Sequence, residues 1–381
     1  MLSDALKGVR VVDFTQVVAG PTCTMMLSDL GADVIKIEAP SGDLCRALPP
    51  FANGESVPFL SLNRNKRSVV LDLKEASQVE LAAQLIAESD VVVECFRPGV
   101  MQRLGLDFDA MKVRNPRLIY CAVTAYGQHG PGKDLPGVDG IVQAVSGLMS
   151  VTGMPDAEPC KVQVPVVDIV TGYLSTIAVM GALAQRNRDG IGQFLDISMF
   201  GSAIAVQQLS FASYFHDHEV PQRTGNAAPY STPNEALRCA DGWIMVAAYH
   251  PVRWVAFCDV LGIPELAKDV RFAKAGDRLA RRPELVALLE QQLCKKSKHE
   301  WLPILQQADI ICGAINDYSE VVESDVFRAA HLTEQVEHPS AGTLKLPRSP
   351  FRQVGEACLR PAPMLGQHTA EVFQGLDCTT V

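Results

Sequence analysis

Short apolar runs alternate with helical patterns along the first half of the chain. Runs rich in Val and Ile predict strands over residues 9–14, 32–38, 68–73, 90–96, 118–123 and 193–198. Apolar residues at helical spacing predict helices over residues 21–30, 75–87, 169–187 and 200–216. Strands that are apolar throughout and separated by helices are typical of a parallel sheet covered on both faces. The pattern therefore predicts an α/β fold with a Rossmann-like open parallel sheet. Ligands of such a sheet bind beyond the carboxyl ends of its strands.

The second half changes character near residues 223–234, which are rich in Pro, Gly, Asn, Ser and Thr. This composition predicts a linker or an active-site loop. An apolar run at residues 243–248 then starts a second, smaller α/β region that extends to about residue 330. The tail is rich in Pro and is expected to be mostly loop before a last helix near residues 369–374.

Composition narrows the classes of protein that the chain can belong to. Its 381 residues exceed what one small core needs, and a net charge of -9 argues against a general nucleic-acid or membrane-surface binder. The 11 cysteines include no C-x-x-C pair, which is typical of a reduced cytosolic chain. The N-terminus shows no signal pattern, and no apolar run approaches the roughly 20 residues that span a bilayer. We expect a soluble cytoplasmic protein with no nucleic-acid or membrane partner.

Several common site motifs are absent from the sequence. It contains neither G-x-G-x-x-G nor a P-loop, and it has no G-x-S-x-G elbow. His216 and His218 flank Asp217, but a spacing of two residues does not place both imidazoles on one helix face. No metal site is predicted.

Three features suggest chemistry, and each has a simpler alternative. The turn at residues 17–21 leads into a helix whose unpaired N–H groups suit an anionic or pantetheine-like ligand, although it could be a plain strand–helix turn. The basic segment 63–67 would attract phosphate, or it could be a solvated turn. Asp168 opens a long helix. It could simply cap that helix, or the helix dipole could keep it ionised as a carboxylate nucleophile.

Taken together, these segments resemble the class III CoA-transferases, the family of formyl-CoA transferase and the carnitine CoA-transferases. The resemblance covers essentially the whole chain. The stretches that carry it are GVRVVDFTQVVAGPTCTMMLSDLGADVIKIE, NRNKRSVVLDLK, DVVVECFRPGVMQRLG, NPRLIYCAVTAYGQHGP, GALAQRNRDGIGQFLDISM and PMLGQHTAEV.

The resemblance implies a large Rossmann-like domain built from residues 1–200 and 330–381 and a small α/β domain at residues 225–325. Residues 200–225 and 325–330 would be linkers. It also implies an interlocked homodimer with the coenzyme A site between domains of the two subunits. Coenzyme A would act as a substrate, acyl-CoA, and not as a tightly bound cofactor.

Residue roles follow from the resemblance by position. Asp168 matches the nucleophilic aspartate of the family, and Asp139 falls where formyl-CoA transferase has an assisting glutamate. The positions that match coenzyme A contacts or line the site are Val18, Ala19, Leu71, Lys74, Cys95, Phe96, Arg97, Arg103 and Met199. The residues we expect in the acid pocket are Gln16, Tyr126 and Tyr230.

The sequence departs from the family pattern at several positions. Cys95 stands where Asn is commoner, Val138 replaces a Tyr, and Ala39 stands where formyl-CoA transferase has an Arg. The Gly-rich loop over the aspartate has no clear counterpart, and residues 225–234 occupy that region. These departures argue against oxalate and formyl-CoA as the substrate pair.

The sequence therefore predicts transfer of coenzyme A from an acyl-CoA, with succinyl-CoA as first candidate, to a carboxylic acid. The route would run through an aspartyl anhydride and an aspartyl-CoA thioester at Asp168. The first alternative is an α-methylacyl-CoA racemase, which needs an acid/base pair. Its Gly-His-Asp-Asn-Tyr stretch is missing, since residues 137–141 read Gly-Val-Asp-Gly-Ile. The second alternative is a non-catalytic protein that binds coenzyme A.

Overall fold

The computed structural model describes residues 2–351 and 359–374. Its strands are β1 (Arg10–Phe14), β2 (Asp33–Glu38), β3 (Phe51–Ala52), β4 (Glu55–Ser56), β5 (Arg67–Val70), β6 (Val91–Glu94), β7 (Ile119–Thr124), β8 (Phe194–Ser198), β9 (Asn234–Cys239), β10 (Gly242–Ala247), β11 (Ile311–Ala314), β12 (Thr333–His338) and β13 (Gly342–Pro347).

Helices connect these strands. They are α1 (Ala19–Asp29), α2 (Val57–Leu62), α3 (Ala76–Ala87), α4 (Val100–Leu104), α5 (Phe108–Arg114), α6 (Asp139–Val145), α7 (Leu148–Val151), α8 (Val166–Asp189), α9 (Met199–Val206), α10 (Gln208–Asp217), α11 (Pro251–Val260), α12 (Ala275–Ala280), α13 (Arg282–Leu293), α14 (Lys298–Gln307), α15 (Tyr318–Glu323), α16 (Asp325–Ala329) and α17 (Thr369–Gln374). Short 3-10 turns lie at Leu2–Asp4, Leu44–Ala47 and Pro264–Lys268.

A parallel sheet of six strands, in the order β5-β2-β1-β6-β7-β8, forms the main layer. Neighbouring residues of one strand pack on opposite faces, so Val12 lies in the core beneath α3 and α5, and Val11 in the core beneath α1 and α8. Burial on both faces explains why the central strands are mostly apolar, although they also bury charged residues, among them Asp13, Lys36 and Glu94. The prediction of an α/β fold with an open parallel sheet is confirmed.

The chain divides into two compact units. The large unit takes its described residues from Met1–Met149, Lys161–Glu219 and Ala329–Val381, and the small unit consists of Ser150–Cys160 and Val220–Arg328. The small unit has an antiparallel sheet in the order β11-β10-β9, covered by helices that bury Trp254, Phe257 and Leu289.

Two elements differ from the sequence prediction. The helix expected over residues 200–216 is two helices, because the backbone departs from helical geometry at Gln207, whose buried side chain donates to the carbonyls of Ser146 and Ala203 at 3.1 and 3.0 Å. The tail expected to be loop contains the antiparallel hairpin β12–β13. Its polar alternation is typical of a two-stranded ribbon with one exposed face, a weaker signal than a buried strand.

Helix α8 lies in the large unit and brings its first turn to the start of α1. Gly172 allows the close approach, since a Cβ there would lie 2.6 Å from Cβ of Thr22 and 2.7 Å from the carbonyl oxygen of Ala19. By length and composition alone, α8 could cross a membrane, so the expectation that no segment is long and apolar enough is wrong. Core helices pass the same test, and α8 supplies Val179, Ala182 and Leu183 to the core of the large unit.

Candidate active site

A cavity of about 580 Å³ lies where β1, β6 and β7 end. Strand ends supply its walls, as the Rossmann-like pattern predicts. The site residues predicted from the sequence that line it are Gln16, Val18, Ala19, Cys95, Phe96, Arg97, Asp168 and Met199. Folding therefore brings together residues from the turn before α1, the turn after β6, and the starts of α8 and α9.

Asp168 occupies the first turn of α8, but it does not cap that helix. The helix begins at Val166, and no side chain of its own segment caps it. The cap comes from Asp139, whose Oδ1 accepts the N–H groups of Val167 and Asp168 at 2.8 and 3.2 Å. Asp139 is held in turn by Gln143, whose Nε2 donates to its Oδ2 at 2.5 Å. The interpretation of Asp168 as a helix cap is therefore wrong, because another helix satisfies these N–H groups.

The carboxylate of Asp168 is half-buried and accepts no hydrogen bond from any residue in the described ranges. Burial, and then the nearby charge of Asp139, raise the pKa of Asp168 to about 7. The sequence had suggested that the helix dipole keeps this group ionised, but burial and a like charge outweigh the dipole. The Asp168 carboxylate is therefore more basic than that of an ordinary aspartate.

The turn opposite Asp168 presents backbone donors. Val18 and Ala19 are at the start of α1, where the first N–H groups have no partner within the helix. No acceptor in residues 2–351 or 359–374 takes the N–H of either residue. Val17, just before them, has a φ of 67°, which is the left-handed region. The sequence reading singled out this turn but not the strained Val17.

Other predicted contacts fall in a second, neighbouring cavity of about 230 Å³. Leu71 and Lys74 line it together with Ala39, and Gln16 and Phe96 line both this cavity and the one at Asp168. The two cavities are therefore adjacent, with Gln16 and Phe96 in both linings.

Four predicted residues lie outside both linings: Asp139, whose contacts are given above, and Arg103, Tyr126 and Tyr230. Arg103 is in the last turn of α4, with its guanidinium close to Gly99. Tyr126 packs on Phe200, with ring centroids 6.1 Å apart. Tyr230 belongs to the small unit, and 75% of it is exposed.

The basic segment 63–67 is neither a phosphate site nor a solvated turn. Lys66 pairs with Asp13 at 3.1 Å, and both side chains are fully buried. Arg64 pairs with Asp29 at 2.6 Å, also in the interior. Sequence spacing could not reveal these partners, because each acid lies more than 30 positions away.

A third cavity, of about 480 Å³, was not anticipated from the sequence. Its lining includes Glu94, which is 4% exposed, and it shares Arg97 and Lys133 with the cavity at Asp168. Burial raises the pKa of Glu94 to about 8, and the N–H of Phe96 donates to it at 2.8 Å. The sequence feature that could have pointed to Glu94 is the position of an acidic residue at the end of an apolar strand.

The segment 225–234 is held within the small unit. Arg282 donates to the carbonyls of Ala228 and Ser231, and the N–H of Gly225 donates to the carbonyl of Gly153 at 3.0 Å. Asn234 already begins β9. That this segment covers Asp168 stays a prediction.

Comparison with known proteins places these residues in a wider context. Residues 6–369 match the model of CoA-transferase family III. The chain is 36% identical over 375 residues to the succinyl-CoA:glutarate CoA-transferase of Mus musculus, covering 97% of this chain and 86% of that protein. It is 36% identical over 382 residues to the succinate–glutarate CoA-transferase of Agrobacterium fabrum, covering 98% and 96%.

Solved structures agree with this similarity. A CAIB/BAIF family protein from Brucella suis superimposes with a TM-score of 0.86 at 36% identity, covering 98% of this chain and 99% of that one. Rv3272 from Mycobacterium tuberculosis superimposes with a TM-score of 0.88 at 34% identity, covering 97% and 99%.

Proposed function

The chain belongs to CoA-transferase family III, and from this membership we propose that it moves coenzyme A from an acyl-CoA to a carboxylic acid with Asp168 as nucleophile. One observation carries the proposal: the Asp168 carboxylate accepts no hydrogen bond from the described residues and lines a cavity together with the unpaired N–H groups of Val18 and Ala19. A free carboxylate beside orphan donors suits acyl transfer.

The first half-reaction loads coenzyme A onto the enzyme. An oxygen of Asp168 attacks the thioester carbonyl, the C–S bond breaks, and the electron pair leaves with sulfur as coenzyme A thiolate. The product is an acyl–aspartyl anhydride. The thiolate then attacks Cγ of Asp168, the anhydride C–O bond breaks, and the donor acid leaves as a carboxylate. Asp168 now carries coenzyme A as a thioester.

The second half-reaction reverses these steps with the acceptor acid. Its carboxylate attacks Cγ of Asp168 and displaces the thiolate, which forms a new anhydride. The thiolate then attacks the acceptor's carbonyl carbon and releases the Asp168 carboxylate. Thioesters and carboxylates are exchanged one for one, so the reaction needs no external source of energy.

Each attack creates an oxyanion that needs hydrogen-bond donors. Val18 and Ala19 present N–H groups at the start of α1, where the helix dipole also favours negative charge. Asp139 holds the first turn of α8 through the N–H groups of Val167 and Asp168, and we propose that it thereby orients the nucleophile. The anhydride must also be kept from water.

The neighbouring cavities support a path for coenzyme A. We propose that the adenosine end lies by Leu71 and Lys74 and that the pantetheine arm passes Phe96 towards Asp168. No acid in the described residues pairs with Arg97, so its charge is available for a phosphate. Arg103 would contribute from the same turn, and Cys95 and Met199 would line the thioester end.

The names of the relatives suggest which acids to test first. The proteins from Mus musculus and Agrobacterium fabrum are named for succinyl-CoA or succinate together with glutarate. We propose succinyl-CoA as donor and a small dicarboxylate as acceptor.

We also propose that the protein is a homodimer with interlocked subunits. Helix α10 buries none of its residues in the single chain, and its large apolar side chains Leu209 and Phe215 are 75% and 70% exposed. Exposed apolar side chains of this size on one helix mark an interaction surface. A second copy of the chain is the partner that family membership favours.

A cytoplasmic location is part of the same proposal. Nine cysteines among the described residues are free, including Cys160 and Cys294 on the surface. Free surface thiols suit a reducing compartment.

The test is mass spectrometry of the purified protein with succinyl-CoA and a panel of carboxylic acids. Wild type is expected to form new acyl-CoA species with glutarate first in the panel, and Asp168→Ala is expected to form none. Intact-mass analysis of wild type should also show a covalent coenzyme A adduct that Asp168→Asn lacks. Exchange that persists in Asp168→Ala would refute the mechanism. Exchange of the α-proton without formation of any new acyl-CoA would favour a racemase.

A further inference from the structure

Val17 holds an unfavourable backbone conformation next to the proposed oxyanion donors. Its φ of 67° lies in the left-handed region, where a β-branched side chain is a genuine outlier. Val17 lines the cavity at Asp168 together with Val18 and Ala19. Strain of this kind persists only where the surroundings enforce it, and it collects at functional sites.

Three side chains enforce this conformation by accepting successive backbone N–H groups. Asp13 accepts from Thr15 at 2.8 Å, and Cys95 Sγ accepts from Gln16 at 3.2 Å. The N–H of Val17 itself donates to Oδ1 of Asp43 at 3.1 Å. These acceptors come from different segments of the chain, so the turn is held from several sides.

One buried ion pair holds both ends of the turn. Lys36 and Asp43 are 2.8 Å apart, from Nζ to Oδ2, and both side chains are fully buried. Lys36 also donates to the carbonyl of Thr15 at 2.7 Å, while Asp43 binds the N–H of Val17. The pair therefore grips the turn at Thr15 and at Val17, two residues apart. Because a buried ion pair often adds little net stability, we look for a more specific role of this pair.

Asp43 is rigidly placed for this task. Its Oδ1 also accepts the N–H of Cys45 at 2.8 Å, and its own N–H donates to Glu38 at 3.0 Å. Glu38 is held by the guanidinium of Arg46, with contacts of 2.7 and 2.8 Å. This support fixes the carboxylate before any ligand arrives.

We propose that Asp43, charged and held by Lys36, is a positioning residue that locks Val17 in the left-handed conformation and so aims the N–H groups of Val18 and Ala19 at the oxyanion formed on Asp168. The inference rests on the proposed function. If the lock is lost, Val17 relaxes towards its ordinary backbone region, and the two N–H groups turn away from the position where they act. Small misplacements of this kind slow the chemical step more than they weaken substrate binding.

The main test removes the pair as a unit. Lys36→Met/Asp43→Ala leaves no unpaired buried charge, and kcat at saturating substrates is expected to fall about tenfold or more. Adding Val17→Gly should restore most of kcat, since glycine adopts a positive φ without strain. A measurement of Val17→Gly alone completes the cycle. Rescue by glycine is an outcome that a merely structural role does not produce.

The matched control is Arg64→Met/Asp29→Ala, which removes another buried pair of the large unit that makes no contact with the turn. It is expected to lower the melting temperature with kcat changed less than threefold. An equal loss of kcat in the control, or an unchanged kcat in the Lys36/Asp43 variant, would overturn the proposal. If the double variant does not fold, Asp43→Asn decides in its place. A loss of about threefold that Val17→Gly reverses supports the lock, and an unchanged kcat rejects it.

Hydrogen–deuterium exchange gives a reading that does not depend on activity. The amide of Val17 should exchange slowly in wild type and in the Arg64/Asp29 control, and at least tenfold faster without Asp43. Faster exchange in a protein that transfers no coenzyme A would mean that the proposed function fails while the lock stands. Unchanged exchange in an active protein would mean that the lock fails while the function stands.

Discussion

The carboxylate of Asp139 accepts the backbone N–H of Asp168 at 3.2 Å, so two acids meet in the first turn of α8. Asp139 accepts the N–H groups of this turn, whereas Asp168 has no donor among the described residues. Their different environments separate their roles, and the predictions below begin from this asymmetry.

The ionised carboxylate of Asp168 is expected to lower the stability of the folded protein. Burial and Asp139 raise the pKa of Asp168 from 3.8 to about 7, so the folded state holds this proton more tightly than the unfolded state does. Stability is therefore lost as the pH rises from about 4 to about 7. At pH 8, the free energy of unfolding of Asp168→Asn should exceed that of wild type by about 1–2 kcal/mol, a figure reduced because Asp168 is partly exposed. At pH 3.5 the two free energies should be equal. Denaturant unfolding at both pH values measures this difference, and a variant less stable than wild type at pH 8 would contradict the account.

Asp139→Asn should shift the pH profile of the reaction. In wild type, kcat/KM is expected to rise with pH through about 7 as Asp168 ionises. An asparagine keeps an acceptor for the N–H groups of Val167 and Asp168 but removes the like charge. The midpoint should therefore move down by about 1 pH unit. Asp139→Ala serves as the comparison, since it removes the acceptor as well and should lower kcat. An unmoved midpoint in Asp139→Asn would show that the two acids are not coupled.

Two glycines of α8 offer a matched pair for the contact between α8 and α1. A Cβ on Gly172 would collide with Thr22 and with the carbonyl of Ala19, whereas Gly181 has nothing within 4 Å of the corresponding position. Gly172→Ala should destabilise the fold by about 1–3 kcal/mol and disturb the turn at Ala19. Gly181→Ala should stabilise it by about 0.5–1 kcal/mol through helix propensity. Thermal unfolding of both variants tests this, and equal effects would disprove the close contact.

Cys95 is expected to resist thiol reagents. Burial raises the pKa of its thiol to about 12, so very little thiolate forms at pH 8. Cys160 and Cys294 are exposed and serve as internal controls in the same sample. Brief labelling with iodoacetamide followed by peptide mass spectrometry should modify both controls and leave Cys95 unmodified. Labelling of Cys95 as fast as the controls would mean that the turn at Gln16 opens readily.

The proposed dimer predicts that charge on α10 produces monomers. Leu209→Glu/Phe215→Glu places two acids among exposed apolar residues of one helix. Light scattering after size exclusion should show a dimer for wild type and a monomer for the variant. Val270→Glu is the control, because Val270 is 84% exposed in the small unit and should tolerate a charge. A wild-type protein that elutes as a monomer would reject the proposal directly.

The layers of the fold follow from the pattern of apolar residues alone. The mostly apolar runs that became β1, β2 and β5 to β8 could be read directly, and so could the long helix that carries Asp168. Boundaries were less secure: α8 starts three residues before the predicted helix, because Asp139 from a distant segment satisfies its first N–H groups. The hairpin β12–β13 was missed because it buries only one face, with Val336 and Leu346, and its alternating pattern is a weaker signal than a strand buried on both faces.

Which charged side chains pair with each other depends on tertiary packing. Lys66 and Arg64 appeared to be phosphate ligands or solvated cations, yet they lie in the interior opposite Asp13 and Asp29. The ion pair of Lys36 with Asp43 and the hydrogen bond from Val17 to Asp43 also form only because the fold packs these segments together. Local propensity acts over a few residues, whereas the energy of a charge depends on every group that surrounds it, from any part of the chain. The residue types in the site were therefore visible in the sequence, but their protonation and alignment required the fold.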